Sequence, residues 1–145
     1  MPMPKAMSMY TDFFTTLTQD TPLTSYETIF ESNATFEDPF QKVQGVENIY
    51  KVFQHMYEGL HDPKFDIVEI INQDNVLYLQ WNFNFSRTER SKPQSFIGVS
   101  RVEFNEKAKA ISHIDYWDAA SNIYEKLPLL GSILRFIKGK IRANI

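Results

Sequence analysis

From Leu77 to Phe85 the chain alternates without a break. Leu77, Leu79, Trp81, Phe83 and Phe85 point one way; Tyr78, Gln80, Asn82 and Asn84 point the other. Successive side chains on a strand face opposite sides, so this is an antiparallel strand with one covered face and one wet face. Such a strand demands an apolar layer over its covered side. Further segments fit the same sheet. Phe96, Gly98, Ser100, Val102 and Phe104 share a face after a charged loop over residues 86–93. A polar turn over 105–109 leads to a last strand over 111–118. Upstream, Phe65, Ile67 and Glu69 alternate with Asp66, Val68 and Ile70, with both faces partly apolar, before a turn at Gln73-Asp74-Asn75.

The cover comes from the N-terminal half. Tyr10, Phe13, Phe14 and Leu17 fall at i, i+3, i+4 and i+7, one face of a helix. Thr21 is the expected N-cap of a second helix with Pro22 at its first position, and Leu23, Tyr26, Ile29 and Phe30 form its apolar face. Ser32 and Asn33 end it. A loop over residues 41–45 precedes a third helix with Val46, Ile49, Phe53, Met56, Tyr57 and Leu60 at helical spacing. His55 falls off that stripe, and His61-Asp62-Pro63 breaks the helix. Three helices followed by long strands make an α+β chain in which helices cover one face of a curved antiparallel sheet. Such a sheet leaves a cone whose mouth can hold a small molecule.

The length of 145 residues supports one domain with a substantial core. Twelve Phe, seven Tyr and two Trp suit a chain that lines a hollow with rings as well as packing a core. A net charge of −3 argues against general nucleic-acid binding. The absence of cysteine removes disulfides, thiol catalysis and thiolate metal sites. No metal-ligand spacing or phosphate-binding glycine loop appears, so neither metal nor cofactor is expected. The first residues lack the apolar run of a signal peptide, and no stretch approaches the ~20 apolar residues of a membrane span. A soluble, cytoplasmic protein is the expectation.

Two places carry chemistry. In Ala34-Thr35-Phe36-Glu37-Asp38-Pro39-Phe40, Pro39 forces Asp38 into an extended conformation at a strand end. Asp38 then either bonds a nearby backbone N–H in a turn or presents a directed carboxylate. In the last strand, His113, Asp115 and Trp117 share one face, and Ile114, Tyr116 and Asp118 the other. Inside a cavity, His113 and Asp115 form a proton-transfer pair; in water, an ordinary surface pair. The alternation alone leaves both open. Trp81 and Phe83 offer pocket walls, or plain core.

The order helix, helix, Ala34-Thr35-Phe36-Glu37-Asp38-Pro39, a loop ending in Gly45, helix, then four strands resembles the nuclear transport factor 2-like superfamily over roughly residues 7–118. That superfamily includes ketosteroid isomerases and SnoaL-like polyketide cyclases. The resemblance implies a cone-shaped curved sheet wrapped over N-terminal helices, a cystatin-like α+β barrel. It places Asp38 on the isomerases' catalytic base. Their oxyanion-donor tyrosine falls on Phe13, or on Phe14 after a one-residue slip, and their donor aspartate on Ser100. Neither donor is retained, so steroid isomerisation is not expected. His113, Asp115 and Trp117 fall at pocket-lining positions, and Asp115 is a rough analogue of the cyclases' acid/base aspartate. The implied catalytic set is Asp38, His113 and Asp115. The implied ligand-binding set is Tyr10, Phe13, Trp81, Phe83, Ser100 and Trp117, with Tyr10 a possible substitute for the missing phenol. The expected ligand is an apolar or aromatic small molecule. The expected function is binding it, with isomerase, cyclase or dehydratase chemistry that needs no cofactor. The alternative is a non-catalytic ligand-binding or dimerising module, and a homodimer is expected.

The family-like domain is expected over residues 1–121 and a helical extension over 122–145. Five of the fifteen Lys and Arg lie from Lys126 onward (Lys126, Arg135, Lys138, Lys140, Arg142), and none of the eighteen Asp and Glu does. Ile133, Leu134, Phe136, Ile137 and Ile141 add an apolar side. Docking on the chain's own acidic body or on a partner subunit is expected, with an anionic membrane as the alternative.

Overall fold

Strand parity organises the fold. The structure, a computed structural model, describes residues 2–143. Along it run α1 (Met3–Thr16), α2 (Leu23–Ile29), β1 (Phe30–Glu37), β2 (Lys42–Gln44), α3 (Val46–Gly59), β3 (His61–Gln73), β4 (Val76–Ser86), β5 (Gln94–Phe104) and β6 (Ala110–Tyr116). Then follow α4 (Ala119–Asn122), a 3₁₀ turn (Tyr124–Lys126) and α5 (Pro128–Ile141). The strands form one open sheet in the order β2-β1-β6-β5-β4-β3. Every neighbouring pair is antiparallel except β1 and β6, which run parallel. The chain is α+β, with helices on the concave face of a bent sheet.

On β4 every second residue from Leu77 to Phe85 is buried, as the alternation requires. On β5, Gly98, Ser100, Val102 and Phe104 are buried on the same face. Helix α1 lies over it with Met7, Tyr10, Phe13 and Phe14, and α3 adds Ile49 and Phe53. Burial of each such side chain contributes roughly 1.5–3 kcal/mol before the entropy of ordering it is subtracted. Interlocking ring contacts, such as Tyr10 edge-on to Phe30 and Phe104, fix the layers.

The boundaries differ from the sequence expectation in several places: Ser32 and Asn33 lie within β1, the loop over 41–45 contains the short strand β2, and the last strand is Ala110–Tyr116, not 111–118. Helix α2 begins at Leu23 with Pro22 at the cap, and the Thr21 hydroxyl accepts instead from the Thr18 N–H at 3.0 Å. Phe30 is not on the helix face; it opens β1, where it is buried all the same. His61-Asp62-Pro63 belongs to β3, whose register is irregular between His61 and Lys64 and again between Ile67 and Glu69. β3 is an edge strand, which tolerates a proline, and its irregularities bend the sheet. They also explain why strict alternation fails there.

Gly98 pairs with Trp81 across β4 and β5. A Cβ at Gly98 would fall 2.2 Å from the Trp81 ring. The missing side chain is therefore the seat of the indole. Gly98→Val should cost about 1–3 kcal/mol by overpacking. It should also shift the tryptophan fluorescence, read together with the urea midpoint.

Candidate functional site

Asp38 stands one residue beyond β1. Its Oδ1 accepts the backbone N–H of Phe40 at 2.8 Å and of Gln41 at 3.0 Å, and its Oδ2 accepts Gln41 Nε2 at 3.1 Å. Its own N–H donates to the Gln41 carbonyl at 2.9 Å. This is the turn-closing aspartate that Asp-Pro chemistry favours. Three of the carboxylate's roughly four acceptor positions are taken by the loop it closes.

The second acid is arranged differently. Parity on β6 turns His113 inward, where it is 2% exposed. The register sets Ser100 opposite Asp115 and Phe36 beside His113. His113 stacks on Phe36 with centroids 5.0 Å apart. Its Nδ1 lies 2.6 Å from Tyr10 Oη, and its Nε2 lies 2.7 Å from Asp115 Oδ1. On the other side Trp81 Nε1–H donates to Ser100 Oγ at 2.8 Å, and the Ser100 hydroxyl donates to Asp115 Oδ1 at 2.5 Å.

The proton positions follow from what each atom can do. An indole N–H only donates, so Ser100 accepts from Trp81 and its own proton goes to Asp115. Tyr10 is fully buried and, among the described residues, its hydroxyl has no partner but His113. It must donate to Nδ1, which assigns the His113 proton to Nε2, directed at Asp115. Two chains thus converge on one oxygen of Asp115. Oδ2 receives no donor among the described residues, yet it is not a buried orphan; the one such atom is the Tyr26 hydroxyl.

Asp115, with its side chain 11% exposed, opens onto a cavity of about 380 Å³. Trp81, Phe83 and Trp117 wall it, and Asp38 lies at its edge. Ser100, His113 and Tyr10 stand behind that wall and reach it through Asp115. Phe13 does not reach the cavity. It packs edge-on against Phe14 and Tyr26, because its position on α1 faces α2. His55 is exposed on the flank of α3 and touches the cavity rim. The sequence reading missed Phe85 and Phe96 as lining residues, although their parity with Trp81 signalled them; Phe96 stacks on Trp117 at 4.5 Å. It also missed Phe36 and Met56, whose inward aim depends on how β1 and α3 pack.

Two tyrosines give opposite expectations for the same change. Tyr10→Phe strands buried His113 Nδ1 and should cost about 1–3 kcal/mol. Tyr26→Phe removes an unpartnered buried hydroxyl and should be neutral or stabilising by about 1 kcal/mol. Urea denaturation at neutral pH measures both. Burial pushes the Tyr10 phenol well above its ordinary value, and the Asp115 charge pushes the same way. Burial also pushes Tyr57 up, to about 12. Above pH ~10 the unfolded chain loses phenolic protons that the folded protein keeps, so stability falls as pH rises. The slope contributed by Tyr10 alone should reach about 1.4 kcal/mol per pH unit, and Tyr10→Phe should reduce the total by about that amount while the share of the other buried tyrosines remains.

Residues 10–113 match the family model of the SnoaL-like domain. No curated protein matches the chain. Several solved structures share the fold at low identity. A candidate SnoaL-like polyketide cyclase from Jannaschia sp. CCS1 superposes with a TM-score of 0.72 at 10% identity, over 83% of this chain and 91% of that one. A hypothetical protein with a ketosteroid isomerase-like fold from Catenulispora acidiphila DSM 44928, in complex with trimethylamine, gives 0.69 at 13%, over 84% and 92%. TerC co-crystallised with polyporic acid gives 0.68 at 14%, over 83% and 95%. The bent sheet is the nuclear transport factor 2-like cone, and the chain belongs to the SnoaL-like domain family.

Proposed function

We propose that the cavity binds a small, largely apolar or aromatic molecule carrying conjugated carbonyls, and that Asp115 moves a proton on it without a cofactor. The observation that carries this reading is the half-engaged carboxylate. Oδ1 is fixed by Ser100 and His113, while Oδ2 has no donor among the described residues and Asp115 lines a cavity with aromatic walls. A base must be held still and keep a free lone pair within reach of the proton it takes. In the proposed step Oδ2 takes a proton from a carbon next to a carbonyl, and the C–H electron pair becomes an enolate. The protonated acid then returns that proton to another carbon, or to the alkoxide formed when the enolate carbon attacks a second carbonyl. Ser100, His113 and Tyr10 hold Asp115 in place. Asp38 shapes the rim.

The cavity constrains the substrate. Its lining offers few free donors: the Trp81 N–H is spent on Ser100 and one hydrogen of the Gln41 amide on Asp38, which leaves chiefly the Trp117 indole N–H and the ring of His55 at the rim. A lost oxyanion donor costs on the order of 3 kcal/mol at the transition state. The chemistry therefore suits molecules that spread negative charge over their own conjugated carbonyls. The scarcity of donors equally favours a second reading, in which the cavity holds such a molecule without turning it over. The crystallisation of the fold relative TerC with polyporic acid is consistent with either.

Native mass spectrometry of the purified protein identifies a copurifying ligand, which then serves as the substrate lead. Asp115→Asn should keep ligand binding and lower turnover by about 10²–10⁴-fold, the range a positioned acid/base supplies. Asp38→Asn should act mainly on stability and change turnover less than about tenfold. Turnover that survives Asp115→Asn would remove the catalytic reading; binding without turnover in the unmodified protein would establish the second.

A further inference from the structure

Helix α5 is amphipathic in the wrong sense for a helix packed on its own domain. Its small and polar side faces inward. Gly131 sits on the backbone of Glu125, where a Cβ would collide with the carbonyl oxygen. Arg135 Nη1 donates to that carbonyl at 2.5 Å. Lys138 Nζ donates to Ser121 Oγ at 2.7 Å and to Glu125 Oε2 at 3.1 Å. These contacts fix the helix's rotation. The opposite arc carries Leu129, Leu130, Ile133, Phe136, Ile137 and Ile141, all exposed, Leu129 to 78% and Phe136 to 66%.

The charges decide what fits that arc. From Lys126 to the end of the sequence there are five basic residues and no acidic one. Lys140 follows Phe136 by four positions and Ile137 by three, so it lies within the apolar arc, and its ammonium sits 5.3 Å from the Phe136 ring centroid. Among the described residues it has no anionic partner. A seam between two copies of α5 would bury Lys140 with no acid from the facing helix to meet it, which is costly. At a lipid surface the lysine stem lies among the acyl chains while the ammonium reaches up to a phosphate. The acid that touches the helix, Glu125, is held by Lys138 on the inward side, away from the apolar arc. No helix of the described residues is long and apolar enough to cross a membrane, so such a contact is interfacial.

We infer that α5 is a docking face for an anionic phospholipid surface, with its apolar arc in the headgroup region and Lys140 and Arg142, which have no anionic partner among the described residues, on lipid phosphates. The inference stands independently of any chemistry in the cavity. The test uses the full chain and sedimentation with vesicles of phosphatidylcholine and phosphatidylserine in a roughly three-to-one ratio, against phosphatidylcholine alone. The chain should partition at least about tenfold more strongly onto the mixed vesicles, and salt should release it. Phe136→Asp should lower partitioning at least about tenfold, and Lys140→Glu about fivefold or more. Both residues are exposed, so the melting temperatures of the variants should stay close to that of the parent chain. Equal binding to both vesicle types, no binding at low salt, or binding unchanged by Phe136→Asp would overturn the inference. So would a self-association, seen by sedimentation velocity, that Phe136→Asp abolishes while vesicle binding is absent; α5 would then be an interface between copies.

Discussion

The interaction on which the architecture turns is the hydrogen bond from Tyr10 to His113. It joins α1 to β6 across a separation of 103 residues, inside a shell of rings. From there Asp115 and Ser100 extend the connection to β5, and Trp81 extends it to β4. One helix and three strands are thus tied by groups whose donor and acceptor roles fit together in one way. Leaving any of them unpaired costs more than a typical hydrogen bond contributes, so the network specifies the packing as much as it stabilises it. A core of rings alone would have many nearly equal arrangements; this one is pinned at its centre.

The same network explains why a cavity exists and where its polar atom lies. The concave face is apolar along β4 and β5 and is closed at one end by α1. At the other end, Asp115 and Trp117 take the inward positions on and just beyond β6. A carboxylate there cannot be covered by hydrocarbon at low cost, so the cone stays open beside it. Asp38, the more conspicuous acid in the sequence, is occupied by its own loop and has little capacity left for a ligand.

Much of this was legible in the chain and some was not, for physical reasons. The period-two pattern of Leu77 to Phe85 and of Phe96 to Phe104 gave two strands and their buried face, because both lie inside the sheet, where parity decides burial. The edge strand β3 was hard to read, because its irregular register breaks parity and its outer residues are not under the same constraint. The turn role of Asp38 was readable from Asp-Pro chemistry alone. The inward face of β6 was not, since Ile114 and Tyr116 competed for it; pairing with Val102 and Phe36 settles it in favour of His113. No local pattern could show that Tyr10 meets His113, or that Phe13, on the same helical stripe, turns toward α2 instead of the cavity.

The most direct test of the central network is the ¹⁵N chemical-shift pattern of the His113 ring in the folded protein at neutral pH. The arrangement Tyr10–His113–Asp115 requires the proton on Nε2 and a bare Nδ1 that accepts from the tyrosine. Shifts showing that tautomer, and its loss in Tyr10→Phe, are the predicted result. A proton on Nδ1 in the native protein, in the other neutral tautomer or in the imidazolium, would contradict the account, because Tyr10 would then have no acceptor for its own proton.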